Sequence, residues 1–319
     1  MAYSEVEKVE GEAGDFKVTV RRKARYVDEE NCTGCGACTE KCPSILADAF
    51  NLGLGKRKAI YSWFAQGIPS THTIDPDHCR QFQGKKCGIC KKICQADAVN
   101  FDQEDRIVEL NVGAIIVASG YEVFDPSQIP EYRYKDISNV VTALEFERLL
   151  SASGPTGGHL YRPSDLAAKE EIAVLEKKEK KTRKTLEKFE EKYSESSKEF
   201  YGKYEKGEYK DDEDRKKWAD KYNEYLSIVE PLETLKKKAE GFTVAKRLAF
   251  IQCVGSRDLR FYPFCSGYCC MHSIKEGIIA YEHEPETRST IFGMDIRAVG
   301  KGFEEYKIRG GNQAGITYV

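Results

Sequence analysis

The sequence predicts an α+β fold built from several distinct segments. Its 12 cysteines form two groups, eight between Cys32 and Cys94 and four between Cys253 and Cys270. Short apolar runs typical of strands lie beside both groups, and a charged segment with helical periodicity separates the groups. These observations divide the chain into segments 1–27, 28–104, 105–165, 166–242 and 243–319.

Composition limits the classes of function. The 319 residues carry 50 Lys and Arg against 52 Asp and Glu, so no basic field attracts nucleic acid or an anionic membrane. No stretch approaches the ~18 consecutive apolar residues of a membrane span, and residues 1–7 lack the features of a secretory signal. We therefore expect a cytosolic protein. Because cytosolic thiols are kept reduced, we expect the cysteines to be metal ligands.

The strand and helix signals outside the cysteine groups are short. Residues 5–10 and 16–23 flank a Gly-containing turn and predict a β-hairpin of a larger sheet. Residues 106–110 alternate between polar and apolar types. Residues 114–120 and 248–253 are apolar runs typical of strands buried on both faces of an α/β sheet. A helix is predicted over 140–151 and a loop over 153–158.

Segment 166–242 differs in composition from the rest of the chain. It contains 20 basic and 20 acidic residues, three glycines, one proline and no cysteine. Apolar residues recur at helical spacing around Leu186 and Tyr193, and again around Tyr222 and Leu226, which predicts an antiparallel helical hairpin. Pro231 is expected to kink or restart the second arm. This composition is consistent both with a solvated spacer and with an arm that docks on another protein of a complex.

The first cysteine run has the spacing C-x2-C-x2-C-x3-C-P, from Cys32 to Pro43. This is the spacing of bacterial two-cluster ferredoxins, in which three cysteines bind one 4Fe-4S cluster and the fourth binds the other. The second run has a longer first gap, and Gln95 stands where the first run has Pro43. The two predicted ligand sets are Cys32, Cys35, Cys38 and Cys94, and Cys79, Cys87, Cys90 and Cys42.

Other interpretations of this region remain open. Zinc ribbons hold their metal with two well-separated C-x2-C pairs, so three crowded cysteines favour a cluster over zinc or structural thiols. His72 and His78 are expected to be loop residues, since four cysteines already complete each set. Four lysines beside the second run form either a solvated face or a surface that receives an acidic partner: Lys85, Lys86, Lys91 and Lys92.

The second group, Cys253, Cys265, Cys269 and Cys270, follows a predicted strand and precedes a helix-like stretch over 271–282. Four cysteines suffice for one further cluster. Redox-active or buried thiols explain the spacing equally well. The adjacent pair Cys269 and Cys270 is expected to need unusual local geometry.

Several strings together resemble a known family. They are Cys-Thr-Gly-Cys-Gly-Ala-Cys at 32–38, Gly-Leu-Gly-Lys-Arg-Lys-Ala-Ile-Tyr at 53–61, Ser-Ala-Ser-Gly-Pro-Thr-Gly-Gly-His at 151–159, Phe-Ile-Gln-Cys-Val-Gly-Ser-Arg at 250–257 and Met-Asp-Ile-Arg-Ala-Val-Gly-Lys-Gly at 294–302. In this order they resemble the A component of heterodisulfide reductase, an iron–sulfur flavoprotein. The similarity covers nearly everything outside 166–242, a segment that is not a usual feature of that family.

The resemblance implies a thioredoxin-reductase-like flavoprotein fold with an inserted two-cluster ferredoxin module and a third 4Fe-4S cluster at Cys253–Cys270. It implies that hairpin 1–27 belongs to the flavoprotein sheet and that Ala118, Ser119 and Gly120 approach FAD. Complete members carry a G-x-G-x-x-G turn for the FAD pyrophosphate, and this sequence has none. The expectation is a FAD shared with a partner chain that supplies the missing half.

The predicted function is therefore electron transfer inside a multi-subunit oxidoreductase, between 4Fe-4S clusters and a flavin. The resemblance adds flavin-based electron bifurcation and an electron carrier such as ferredoxin as partner. No substrate-reduction site is recognisable, so the chain is expected to be a non-catalytic or partial subunit of an enzyme. The alternatives are an assembly scaffold with structural clusters and a self-sufficient FAD-dependent reductase. The exposed clusters that we expect suggest an anaerobic setting.

Overall fold

A computed structural model describes residues 2–209, 212–242 and 244–319. The chain divides into two compact units, one of residues 1–128 with 142–158 and one of residues 129–141 with 159–319. The first unit contains β1 (Ser4–Glu12), β2 (Asp15–Arg22), α1 (Ala37–Lys41), β3 (Ile45–Ala47), β4 (Lys56–Lys58), β5 (Ile60–Tyr61), β6 (Thr73–Ile74), α2 (Ile89–Ile93), β7 (Arg106–Val112) and α3 (Ala143–Leu150). The second contains α4 (Pro163–Tyr193), α5 (Ser197–Glu205), α6 (Glu213–Ala239), β8 (Arg247–Ile251), α7 (Cys269–His283), β9 (Arg288–Phe292), α8 (Phe303–Ala314) and β10 (Thr317–Tyr318).

The N-terminal hairpin is present and is the start of a three-stranded antiparallel sheet. Its order is β1-β2-β7, and Val18 pairs with Val9 on one side and with Leu110 on the other. Val18 and Val20 are buried, whereas most of β1 is exposed. The alternating residues 106–110 therefore belong to β7, an edge strand of this sheet. The first cysteine group lies in the chain between β2 and β7.

The residues that lie between β2 and β7 in the sequence form a small core that includes cysteine side chains. Val27 forms an isolated antiparallel bridge with Val99, and Ile60 pairs with Ile74 in the β5–β6 ladder. The buried cluster around them consists of Val27, Ala59, Ile60, Ile74, Cys79, Ala98 and Val99. Five further cysteines pack against this cluster: Cys32, Cys38, Cys42, Cys90 and Cys94. A metal or cluster bound by these cysteines would therefore lie against the buried core.

Helix α3 lies within the predicted range 140–151 but begins three residues later, at Ala143. Thr142 is its N-cap and forms a capping box with Glu145, in which each side chain bonds the other residue's backbone N–H. Arg148 then donates to Asn51 Oδ1 at 2.9 Å and lies over the Phe50 ring. These contacts hold 142–150 against the segment that follows the first cysteine run.

The apolar run 114–120 is not a strand. All seven of its residues are exposed, with Ile116 at 93% and Val117 at 81%. The prediction of a strand buried on both faces is therefore wrong for this part of the chain. A central strand needs hydrogen-bonded neighbours on both edges, and β7 ends at Val112 before the run begins. The apolar pattern shows that these residues favour a strand, but it does not show whether neighbouring strands are present to pair with it.

The second unit contains a parallel sheet of order β10-β9-β8. Helices α7 and α8 pack together, and Ile274, Ile278, Ile291, Ala314 and Ile316 form the buried cluster of this sheet and its helices. Strand β8 realises the predicted 248–253 strand but ends two residues earlier, before Cys253. Its expected burial on both faces is wrong, because alternate residues are exposed and Ile251 is 53% exposed.

Helices α4 and α6 lie antiparallel. Glu176 pairs with Lys236 at 2.7 Å, and Lys192 pairs with Asp214 at 2.6 Å, so positions ascend on one helix as they descend on the other. Helix α6 continues through Pro231, so the expected restart does not occur. A short helix, α5, occupies part of the predicted connection and packs Phe200 against α6. In the described ranges, no helix combines the length and apolarity needed to cross a membrane.

Candidate iron–sulfur centres

The two cysteine runs of the first unit have the same local structure. Gly36 and Gly88 adopt left-handed conformations and begin α1 and α2, so each helix starts between the second and third cysteines of its run. Cys42 and Cys94 follow these helices in extended conformation, so neither belongs to the helix that carries the third cysteine of its run. Helices α1 and α2 pack against each other. This repeated local structure supports the exchange of fourth cysteines.

Glycine is required at one position of the first run. Gly34 has a φ of +70°, and a Cβ there would lie 3.1 Å from the Ser70 carbonyl oxygen. A side chain would therefore be both strained and crowded. The backbone between Cys32 and Cys35 can approach the segment at Ser70 only because residue 34 has no side chain.

A cavity in the first unit is lined by cysteines from both runs. Cys42, from the first run, lines it together with Cys79, Cys87 and Cys90 from the second. Its other walls include apolar residues, namely Pro43, Ala59, Ile60, Ile74, Ile89 and Phe101. Four soft sulfur donors within an apolar shell suit a 4Fe-4S cluster. These are the four residues of the second predicted ligand set.

Three members of the other predicted set pack against the same core. Cys32 and Cys35 lie within electrostatic range of Cys38, and Cys32, Cys38 and Cys94 all pack against the buried cluster. The Ala98 N–H donates to Cys94 Sγ at 3.4 Å. Cys35 is exposed, whereas Cys79 of the other set is buried. The first site is thus the more accessible to solvent.

The protonation of the free thiols reflects this difference. Burial raises the pKa of Cys90 to about 12 and also raises the pKa of Cys38. The backbone N–H of Ala37, at the start of α1, lowers the pKa of the exposed Cys35. Iron binds cysteine as thiolate, so cluster assembly at these buried sites releases protons.

The two histidines near the second run, His72 and His78, lie outside the cavity of the four cysteines. His72 is buried at 6% exposure, and burial lowers the pKa of its imidazole. His78 Nδ1 lies 3.0 Å from Asp75, which also accepts from Arg57 at 2.8 Å. Neither histidine lines the cavity of the four cysteines.

Four lysines lie beside Cys87 and Cys90 in the sequence, and all four are exposed: Lys85, Lys86, Lys91 and Lys92.

The second cysteine group converges at the end of β8 and the start of α7. Cys253 has a φ of +59°, and Cys265 and Cys269 lie within electrostatic range of it. Cys269 and Cys270 occupy the first turn of α7, so the adjacent pair sits in ordinary helix. Cys270 is 5% exposed, and burial raises the pKa of its thiol and of the Cys253 thiol. The four sulfurs fit one further cluster.

Three residues that the sequence patterns did not single out lie at this group. The Asp295 carboxylate accepts from Arg257 at 2.7 Å and from Arg297 at 3.2 Å. Arg257 lies within electrostatic range of Cys253, and Arg297 lies within electrostatic range of Cys265. The strings at 250–257 and 294–302 contain all three residues, so their presence together could have been the signal.

Ala118, Ser119 and Gly120, the predicted flavin contacts, lie in the exposed run that follows β7. Gly120 has a φ of +75° with no atom within 4 Å of a Cβ built on it. Within the residues that the structure describes, these three belong to no helix or strand. The approach to FAD therefore remains a prediction.

Comparisons with known proteins agree with the chemistry of the first unit. The family described as "4Fe-4S binding domain" matches residues 23–44, which contain the first cysteine run. The iron–sulfur A component of CoB–CoM heterodisulfide reductase from Methanocaldococcus jannaschii is 37% identical over 320 residues that include all of this chain. The second such protein of Methanopyrus kandleri is 40% identical over 318 residues, 99% of this chain. The chain belongs to the family of heterodisulfide reductase A components.

The chain covers only part of the length of these relatives. The chain spans 36% of the length of the M. jannaschii and M. kandleri proteins. It spans 33% of the A component of ferredoxin:CoB–CoM heterodisulfide reductase from Methanosarcina acetivorans, to which it is 35% identical over 318 residues. The activity, substrates and partners of those longer proteins are therefore only proposals for this chain.

Proposed function

We propose that this chain is an electron-transfer iron–sulfur subunit of a heterodisulfide-reductase-like complex. The observation that carries the proposal is the cavity in which Cys42 joins Cys79, Cys87 and Cys90. A 4Fe-4S cluster bound there accepts or donates one electron at a time. The protein contributes the ligands, the apolar shell and the short separation between sites.

Two clusters in the first unit would form a relay. Cys90 of the second ligand set lies within electrostatic range of Cys38 of the first set as well as of Cys42 and Cys79. Both sets pack against one buried cluster of aliphatic residues. The two sites therefore share one core, which favours electron transfer between them.

The flavin of this complex is proposed to be shared with a partner chain that supplies the ADP-binding half. Ala118, Ser119 and Gly120 would contribute part of its wall, because all three are exposed and the family resemblance places this segment beside FAD. Such a flavin would exchange single electrons with the clusters. By analogy with the relatives, it would bifurcate electrons between a low-potential ferredoxin and a second acceptor, in an anaerobic cytosol.

Iron, sulfide and flavin content of the anaerobically purified chain tests this function. We expect about twelve irons and twelve sulfides per chain, with little FAD, and paramagnetic reduced clusters at low temperature after dithionite treatment. About eight irons would remove the cluster at Cys253–Cys270. Zinc in place of iron would contradict the redox function altogether.

The same preparation separates the two alternative functions. A self-sufficient reductase predicts tight stoichiometric FAD in the isolated chain. An assembly scaffold predicts clusters that dithionite does not reduce, and loss of complex assembly when 166–242 is deleted. Reducible clusters with flavin only in the assembled complex would contradict both alternatives.

The lysines beside the second site suggest the charge of the electron carrier. Helix α1 carries Glu40 beside Lys41, whereas the corresponding α2 carries Lys91 and Lys92 with no acidic residue. Lys85 and Lys86 directly precede the ligand Cys87 and are also exposed. Phe82 and Ile89, each 37% exposed, add apolar surface, and Ile89 also lines the cavity. This surface fits an acidic carrier such as ferredoxin.

Replacing Lys85, Lys86, Lys91 and Lys92 by Gln should slow reduction by a reduced acidic ferredoxin about tenfold at low ionic strength, because charge steering is lost. Stopped-flow absorbance measures the second-order rate constant. The matched control replaces four exposed lysines of α4, Lys177, Lys178, Lys180 and Lys181, by Gln. Equal rates in the two variants, or an equal loss with the small reductant methyl viologen, would contradict a docking role.

A further inference from the structure

The string Met-Asp-Ile-Arg at 294–297 contains no cysteine, yet it lies at the second cysteine group. It follows β9, while Arg257 follows β8, and these two strands are parallel neighbours. Their C-terminal ends therefore meet at one edge of the sheet, where the loops after them converge. The Asp295 carboxylate there joins Arg257, 2.7 Å away, to Arg297, 3.2 Å away.

This triad lies close to three of the four cysteines. Arg257 lies within electrostatic range of Cys253, and Arg297 lies within electrostatic range of Cys265. The Cys270 Sγ lies 3.9 Å from the Asp295 carbonyl oxygen. Arg257 has a φ of +57°, close to that of Cys253, so two residues with side chains adopt a conformation that disfavours them. The fold holds this loop in place despite that cost.

Hydrogen bonds and positive charge beside cluster sulfurs favour the reduced cluster, which is the more negative state. Two guanidinium groups and one carboxylate leave one net positive charge beside the four cysteines. The carboxylate itself opposes reduction by its charge, but it also fixes both guanidinium groups through directional bonds. Its position between them indicates that orientation is its main contribution.

We propose that Arg257 and Arg297 are positioning residues that raise the reduction potential of a cluster at Cys253–Cys270, and that Asp295 orients them. This inference rests on the proposed function, because it requires a cluster at these cysteines. It gives the cysteine-free string at 294–302 a role at the cysteine site. It also explains why an arginine ends the string at 250–257.

Redox titration monitored by electron paramagnetic resonance tests the proposal on the full chain. At a fixed poise near the midpoint, R257Q and R297Q are each expected to lower the reduced-to-oxidised ratio of this cluster about tenfold. That change corresponds to about 59 mV for a one-electron couple. R297K retains the charge and should recover part of the ratio. D295N should also lower it, although the substitution removes a negative charge.

Arg260 supplies the matched control. It lies in the same loop, is exposed and pairs with Asp258 at 2.8 Å, so R260Q removes the same charge from outside the triad. Its ratio is expected to stay at the wild-type value. An equal decrease in R260Q would show a general charge effect, and an increase in D295N would show that Asp295 acts only as a charge. Either result overturns the proposal.

Iron content distinguishes the two levels of inference. About eight irons in the wild-type chain would mean that these cysteines hold no cluster, and the proposed third cluster fails. About twelve irons with unchanged potentials in R257Q and R297Q would overturn only the role of the arginines. Loss of about four irons in both R297Q and R297K would show that Arg297 is needed for assembly instead of tuning.

Discussion

Replacing Cys42 by Ala should destroy the cluster of the second cysteine run, although Cys42 belongs to the first run. Its side chain lines the cavity with Cys79, Cys87 and Cys90, and alanine offers no ligand. Iron content should fall from about twelve towards about eight per chain. Because Cys79 is part of the buried core that this cluster shares, we also expect lower thermal stability. Iron analysis and thermal unfolding of anaerobic protein measure both effects.

Double variants show which cluster has been lost. If Cys42 and Cys87 bind the same cluster, the C42A/C87A variant should lose no more iron than C42A alone. The C42A/C35A variant should lose both clusters of the first unit, because Cys35 belongs to the other set. Additive losses in the first pair and non-additive losses in the second would refute the exchange of fourth cysteines.

Replacing Trp218 by Ala should cost about 3–5 kcal/mol of unfolding free energy in the helical segment α4–α6. Trp218 has no exposed surface, and its ring stacks on Phe200 with centroids 3.9 Å apart. Its Nε1 donates to the buried Ser197 Oγ at 2.9 Å, so the substitution also leaves a polar group without this partner. Leu186, Ala219 and Tyr222 complete the same cluster.

Hydrogen exchange of backbone amides in α5 and α6 measures this loss. The control is Leu226→Ala on the same helix, where the side chain is 42% exposed and the cost should be below about 1 kcal/mol. Similar protection in the two variants would contradict a core role for Trp218. Iron content and cluster potentials should not change, because the buried cluster around Trp218 contains no cysteine. A change in either would link the helices to the redox sites.

Sequence patterns located the local features because neighbouring residues along the chain fix them. The hairpin of β1 and β2 follows from its turn and its alternation, α3 lies within the predicted helix 140–151, and β8 overlaps the predicted strand 248–253. The 3-residue and 4-residue intervals within each cysteine run likewise determine which sulfurs are adjacent. Spacing alone also suggested how the fourth cysteines are shared, through the known ferredoxin pattern.

Tertiary structure decided the features that depend on distant residues. Cys42 meets Cys79 only because α1 and α2 pack together, and Asp295 meets Arg257 only because β8 and β9 are adjacent. The apolar run 114–120 shows the converse, since its pattern is typical of a buried strand but its residues are exposed. Hydrogen-bonding partners and burial are properties of the packed chain. A local pattern states what a segment can form, and its neighbours in space decide what it does form.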